Sequence, residues 1–154
     1  MAGEIEARLK KIGLDLPPAP NPVANYVPAL QAGQLLFISG QIAKAADGTV
    51  VTGSVGVDLT VEEGQAAARL CALNIMAQAK AALGSLERVG QVLRLTGFVN
   101  SPAGFADHPK VINGASDLMV EVFGDQGRHT RAAVGVSSLP ANTAVEVDAI
   151  LLVS

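Results

Sequence analysis

Arg131 and Glu146 stand inside the two most strand-like segments of the chain, in HTRAAVGVSSLPANTAVEVDAILLV from His129 to Val153. An unpaired charge in a buried strand costs several kcal/mol, so each group must meet water, a partner or a ligand. In TRAAVGV, alternation puts Arg131 on one face with Ala133, Gly135 and Ser137, and these small side chains leave free volume beside a guanidinium that a ligand could fill. Glu146 shares its face with Asp148 and Ile150, while Val145, Val147, Ala149 and Leu151 form the other, buried face of a half-buried strand. The competing reading makes both residues ordinary solvent-facing charges on edge strands. The two segments read as a β-hairpin turning near Ala141 in LPANTA. That register offsets the two charges by about 17 Å at strand rise, too far to touch within one subunit. If they serve one site, neighbouring subunits assemble it.

Other chemistry has weaker support. Two His and one Cys give no metal-ligand spacing, and His108 and His129 read as loop residues. Cys71 falls in mid-helix between Ala67 and Ile75 and reads as core packing, not a nucleophile. GTVVTGSVG lacks the lysine and hydroxyl of a phosphate loop, and no GxGxxG occurs.

The elements that would position the two charges follow from periodicity. Glu4 to Ile12 predicts a short helix, with Ile5, Leu9 and Ile12 on one face, and the proline-rich run Leu16 to Pro22 predicts an extended connector. Tyr26–Leu30 and Leu35–Ser39 predict a hairpin with Gly33 in its turn, and Gly40 ends its second run. Asp47-Gly48 is a turn, and Thr49–Thr52 is a candidate short strand. Thr60 and Glu63 form a capping box that starts a long alanine-rich helix, stopped by Gly84. Val89–Asn100 predicts a strand, and Val111, Ala115, Leu118 and Val122 mark a second helix ended by Gly124. Helices interleaved with hairpins imply an α+β fold with a mixed or antiparallel sheet and both long helices on one face.

The 154 residues suit one domain, 1–154, in which 1–22 form an N-terminal helix and connector. With 49% hydrophobic residues and a mean hydropathy of +0.37, no apolar run reaches the roughly 18 residues of a membrane span, so the excess points to subunit interfaces. The charged opening MAGEIEARLKKIG lacks a signal-peptide core, and the single cysteine suits a reducing compartment, so a cytoplasmic location is expected, away from membranes. A net charge of −3 with dispersed Lys and Arg, and 3% aromatics, argue against a nucleic-acid partner.

The motifs GQLLFISGQ (Gly33–Gln41), LTGFVN (Leu95–Asn100) and TRAAVGVSSLPANTAVEVDA resemble those of the RidA family, also called YjgF-like or endoribonuclease L-PSP-like proteins. The resemblance covers nearly everything after Tyr26, with Arg131, Leu139-Pro140 and Glu146 in matching positions. It implies a chorismate-mutase-like fold and a homotrimer with clefts between subunits. It also implies hydrolysis of 2-imino or enamino acids to 2-oxo acids and ammonia, without metal or organic cofactor. Arg131 would hold the substrate carboxylate bidentately, and Glu146 would position or deprotonate the attacking water. Tyr26 and the Gly40 N–H would line the opposite wall, with Ser39 beside them.

Departures are visible. The chain is longer than the common deaminase form, with an added N-terminal helix and an enlarged loop, SPAGFADHPKVINGASD, which resembles a long branch of the family. Ala132 and Ala133 replace the family's serine and a frequent cysteine. Asn113 aligns with a family asparagine near the cleft, and Asp117, a turn later, could join it; capping or surface hydration is the competing role for both. An alternative function is a non-catalytic trimer that binds a small carboxylate as sensor or regulator. A ribonuclease, as the family's older name suggests, ranks last.

Overall fold

The computed structural model describes residues 3–21 and 24–154, so Met1, Ala2 and the last residue of the expected connector, Pro22, lie outside the described residues. The elements run α1 (Glu4–Lys11), β1 (Ala29–Ala32), β2 (Leu35–Ile42), α2 (Val61–Leu83), β3 (Val89–Asn100), α3 (His108–Phe123), β4 (Thr130–Val136) and β5 (Val145–Val153). The strands form a five-stranded mixed sheet in the order β1-β2-β5-β3-β4. Only the β3–β4 pair is parallel among them, and α3 makes the crossover that a parallel pair requires.

Period-two alternation decides which sheet face is covered. Val145, Val147, Ala149, Leu151 and Val153 are buried on β5, and Leu36, Ile38, Val92, Leu95 and Val99 join them under α2 and α3. Both long helices therefore lie on one face, as the element order implied. The helix α2 begins with the expected capping box, Thr60 accepting from the Glu63 N–H and Glu63 accepting from the Thr60 N–H, and Gly84 closes it in a left-handed conformation. Its contact with α3 is close enough that a Cβ on Gly114 would run into the Gln65 carbonyl. Helix α1 packs outside α3: Ile5 and Leu9 are buried, Arg8 donates to the Val122 carbonyl at 3.2 Å, and Glu6 pairs with Lys80 at 2.7 Å.

The opposite sheet face carries no helix among the described residues. Its side chains are largely apolar: Leu30 opposite Phe37, Phe37 opposite Ile150, and Phe98 opposite Val134. Leu30 is 60% exposed, Phe37 40% and Val134 43%. Large apolar side chains exposed in two groups, with Arg94, Thr96 and Asp148 between them, mark an interaction surface.

Four expectations are corrected. The terminal hairpin does not exist: β4 pairs with β3, and β5 lies between β3 and β2, so β3 separates the two strands that carry Arg131 and Glu146. The LPAN turn is real, with Asn142 N–H donating to Leu139 and Thr143 N–H to Pro140, yet it feeds a strand that enters on the far side of β3. Because α3 carries β4 into the sheet parallel to β3, the returning strand is antiparallel to β3 and takes the central place, where both its edges are paired. The candidate strand at Thr49–Thr52 reduces to isolated bridges, Val50 with Lys44 and Thr52 with Thr143. Gly40 does not end β2, which runs to Ile42 across an irregularity between Ile38 and Gln41. The supposed long loop before the second helix is half helix, since α3 already begins at His108.

Candidate functional site

Two clusters hold the chemistry, one on each sheet face. Glu146 pairs laterally with Ile42 and Phe98 on the open face, where its carboxylate is half-buried. It forms the wall of a cavity of about 420 Å³ with Tyr26, Gly40, Lys44, Asn74 and Gln78, and Pro20 of the N-terminal connector also lines it. The cavity exists because β1 is short and leaves the end of β2 uncovered. The amide of Gln78 donates to the Pro20 carbonyl at 2.7 Å, and the amide of Asn74 donates to the Ile42 and Lys44 carbonyls, so the connector and the end of β2 are pinned around the opening. Helix α1 thus packs away from the cavity while the connector that follows it forms part of the wall.

Gly40 lets the carboxylate approach closely: a Cβ there would lie 2.6 Å from Glu146 Oε2 and 2.9 Å from its carboxyl carbon, so a larger residue would displace the side chain. The irregularity in β2 places this bare backbone directly under the carboxylate. Ser39 does not line the cavity; its hydroxyl donates to the Val27 carbonyl at 2.8 Å and its N–H to Pro28 at 2.9 Å, which holds the Tyr26–Pro28 segment against β2. Burial raises the pKa of Glu146 above the ordinary carboxylate value, and the negative charge of Asp148 on the same strand face adds to the effect.

Arg131 lies level with Leu95, which is buried beneath the helices, so the guanidinium is on the helix face of the sheet. Its Nη1 donates to Asn113 Oδ1 at 2.8 Å and to Ser116 Oγ at 3.1 Å, both on α3. Ser116 Oγ also meets His129 Nε2 at 2.9 Å, and His129 Nδ1 meets the Gly127 carbonyl at 2.6 Å. The Nε and Nη2 groups of Arg131 have no hydrogen-bond partner among the described residues, leaving one two-donor edge of the fork available.

The free volume expected beside Arg131 is smaller than its row of small residues suggested. His108, the first residue of α3 instead of a loop residue, lays its ring against Gly135, where a Cβ would collide with Nε2. Asn113 joins Arg131 as the sequence indicated, but Asp117 is exposed and does not; Ser116, three residues after Asn113, takes that place. Ser116 and His129 were missed. The signal for the first was the Asn113–Ser116 spacing, which puts two polar side chains on one helix face. Cys71 is fully buried, donates to the Val145 carbonyl at 3.4 Å, and has its thiol pKa pushed up by burial, consistent with core packing.

Within one chain the two clusters cannot meet, because Arg131 and Glu146 project from opposite sheet faces. The hairpin offset that first suggested their separation does not apply; the face assignment takes its place.

A five-stranded mixed sheet with its helices on one face, an apolar face left open and a charged group on either side is an α+β architecture of the chorismate-mutase-like kind. The family model described as "YjgF/chorismate mutase-like, putative endoribonuclease" matches residues 6–151, and the chain belongs to this family, the RidA family. Protein TCP17 of Trypanosoma cruzi is 50% identical over 151 residues, covering 97% of this chain and 94% of that protein. The crystal structure of Atu1372 from Agrobacterium tumefaciens is 50% identical and superposes with a TM-score of 0.92 over 97% of this chain and 92% of its own. A 2-iminobutanoate/2-iminopropanoate deaminase of Dermatophagoides farinae is 29% identical over 141 residues, 91% of this chain and 94% of that one. Escherichia coli TdcF, crystallised with bound serine, is 27% identical with a TM-score of 0.63, over 88% of this chain and 94% of its own.

Proposed function

We propose that the protein is a homotrimer that hydrolyses reactive 2-imino and enamino acids to 2-oxo acids and ammonia, in clefts formed where the helix-face cluster of one subunit meets the open-face cavity of the next. The observation that carries this reading is the opposed placement of the two charges: a guanidinium held by Asn113 and Ser116 with a two-donor edge open, and a half-buried carboxylate with raised pKa lining a cavity. The open Nε–Nη2 edge would take the substrate carboxylate in two parallel hydrogen bonds. Glu146, above the bare backbone of Gly40, would hold the water that adds to the imine carbon, take its first proton and pass it to the nitrogen; it would then take the proton of the new hydroxyl and deliver that one to the nitrogen too, so that the carbonyl forms as ammonia leaves. Imine hydrolysis has a modest intrinsic barrier, so fixing substrate and water supplies most of what is needed. Tyr26 would close the wall opposite Arg131, and the open apolar sheet face would be buried between subunits.

The distant deaminase relative supports this chemistry, and TdcF, crystallised with bound serine, supports recognition of a small amino acid. That second likeness also favours the alternative, a trimer that binds a small carboxylate without turnover. The test generates imines in situ with an amino-acid oxidase and follows semicarbazone formation or ammonia release. Faster clearance by wild type than by Arg131→Ala supports hydrolysis, whereas equal background rates with Arg131-dependent binding of a 2-oxo acid would assign the protein to the binding class.

A further inference from the structure

We infer that His129 and Ser116 are positioning residues for Arg131, and that the neutral imidazole, through the serine hydroxyl, fixes which edge of the guanidinium faces the ligand. The inference rests on the reading of Arg131 as a carboxylate anchor and adds His129, to which the proposed reaction assigns no role, together with the direction of the Ser116 contact.

Hydrogen-bond polarity determines the chain of contacts. A backbone carbonyl can only accept, so the 2.6 Å contact from His129 Nδ1 to Gly127 places a proton on Nδ1. In the neutral ring Nε2 is then an acceptor, and the 2.9 Å contact makes Ser116 the donor. With its hydrogen committed to His129, Ser116 Oγ presents a lone pair to Arg131 Nη1 at 3.1 Å, while Asn113 Oδ1 accepts the other Nη1 hydrogen at 2.8 Å. Both hydrogens of Nη1 are thereby held on α3, and the Nε–Nη2 edge is turned away from it. A protonated imidazole reverses this: Nε2 becomes a donor aimed at Ser116 Oγ, the hydroxyl hydrogen is displaced towards Arg131, and two cations face one oxygen.

The surroundings favour the neutral ring. His129 is half-buried, and burial lowers its pKa first, with the Arg131 charge acting in the same direction against the Gly127 hydrogen bond. Of the charged groups on the elements around the ring, Arg131 of β4 is the one acting on it; α3 presents Ser116 and the turn before β4 presents the Gly127 carbonyl.

The experiment measures binding of 2-oxobutanoate by calorimetry on the full chain, with folding of each variant checked by circular dichroism. The carboxylate of this probe stays ionised throughout the pH range used. His129→Leu is expected to weaken binding roughly two- to tenfold at neutral pH, the effect of one neutral hydrogen bond. His129→Gln, whose Oε1 can accept the Ser116 hydrogen, is expected to restore most of it. Wild-type affinity is expected to fall as pH drops through the imidazole titration, below its ordinary value of about 6.5, and His129→Gln to lack that decline while Glu146 remains unchanged in both. In the imine assay the loss is expected in KM, with kcat retained. If His129→Leu does not fold, Ser116→Ala breaks the same chain and is expected to give the same weakening. Wild-type binding in His129→Leu or Ser116→Ala, with the acid decline intact, would overturn the inference while leaving the anchor role of Arg131 standing. Absence of any Arg131-dependent binding in wild type would instead remove the anchor reading, and this inference with it.

Discussion

Replacing Arg131 by lysine keeps the positive charge and removes the fork, and the hydrogen-bond inventory of the site sets the size of the effect. A guanidinium has five N–H donors, and two of them, on Nη1, are engaged by Asn113 and Ser116. Three remain, of which Nε and one hydrogen of Nη2 form the edge that can meet both oxygens of a carboxylate. An ammonium has three donors, and satisfying Asn113 Oδ1 and Ser116 Oγ leaves it one. Arg131→Lys therefore removes one charge-assisted hydrogen bond to the ligand, about 1.5–3 kcal/mol, or roughly 10- to 150-fold in affinity. Arg131→Ala removes both bonds and the charge and is expected to abolish measurable binding. Titration of 2-oxobutanoate by calorimetry, at low and moderate salt, reads both variants. If Arg131→Lys binds as tightly as wild type, the ligand does not use the open edge, and a point charge suffices where bidentate recognition is argued.

Glu146→Gln is expected to eliminate imine hydrolysis while leaving 2-oxo acid affinity within a few-fold, measured by the oxidase-coupled assay and calorimetry. The acid limb of kcat/KM is expected above the ordinary glutamate pKa of 4.5, because the base must be ionised and burial raises its pKa. The same shift has a stability consequence: a carboxyl whose folded pKa is raised favours the folded state while protonated and loses that contribution as pH rises through the folded value. Glu146→Gln should accordingly raise the thermal midpoint at neutral pH, with the gain disappearing on acidification below the unfolded pKa. Gly40→Ala should preserve the fold yet cut hydrolysis, since its Cβ would lie 2.6 Å from Glu146 Oε2 and displace the carboxylate; activity equal to wild type would show that the carboxylate position is unimportant. Val134→Glu should dissociate the proposed trimer into monomers in light scattering. Burying the 43% of Val134 left exposed is worth about 1 kcal/mol per subunit, and an unpaired carboxylate there costs several more.

The sequence disclosed elements far better than it disclosed their neighbours. Thr60 and Glu63 fixed the start of α2 because a capping box is a local arrangement, readable within one turn. The alternation Val145, Val147, Ala149, Leu151 likewise assigned the buried face of β5 correctly, since that pattern needs no knowledge of which strand lies beside it. The hairpin failed for the complementary reason. LPAN specifies a turn, but whether the strands leaving it pair with each other depends on β3, which lies some thirty residues upstream and takes β4 as a parallel neighbour through α3. Arg131 and Glu146 were recognisable as misfits in apolar strands. Ser116 was legible only as a polar neighbour of Asn113 on one helix face, a pattern that a solvated serine shares, and its meaning arises from contact with β4. His129 is the loop residue that the sequence indicated, and its contact with Ser116 likewise depends on packing that a local pattern does not carry.

The topology that defeated the hairpin reading also explains why a site of this kind would require subunit assembly. Inserting β5 between β2 and β3 puts Glu146 in the middle of the sheet on the face without helices, while β4 at the edge turns Arg131 under α3. No side-chain rearrangement can bring the two together through a sheet whose central strands are hydrogen-bonded on both edges. In the proposed assembly a neighbouring copy would do so by covering the open face, the contact that buries Phe37 and Val134 bringing a second sheet edge, with its own guanidinium, towards the cavity beside Gly40. Assembly and site formation would then share one driving force, the removal of apolar surface from water, and a chain that carries this much exposed hydrocarbon would be under pressure to build its pocket whenever it buried its sheet.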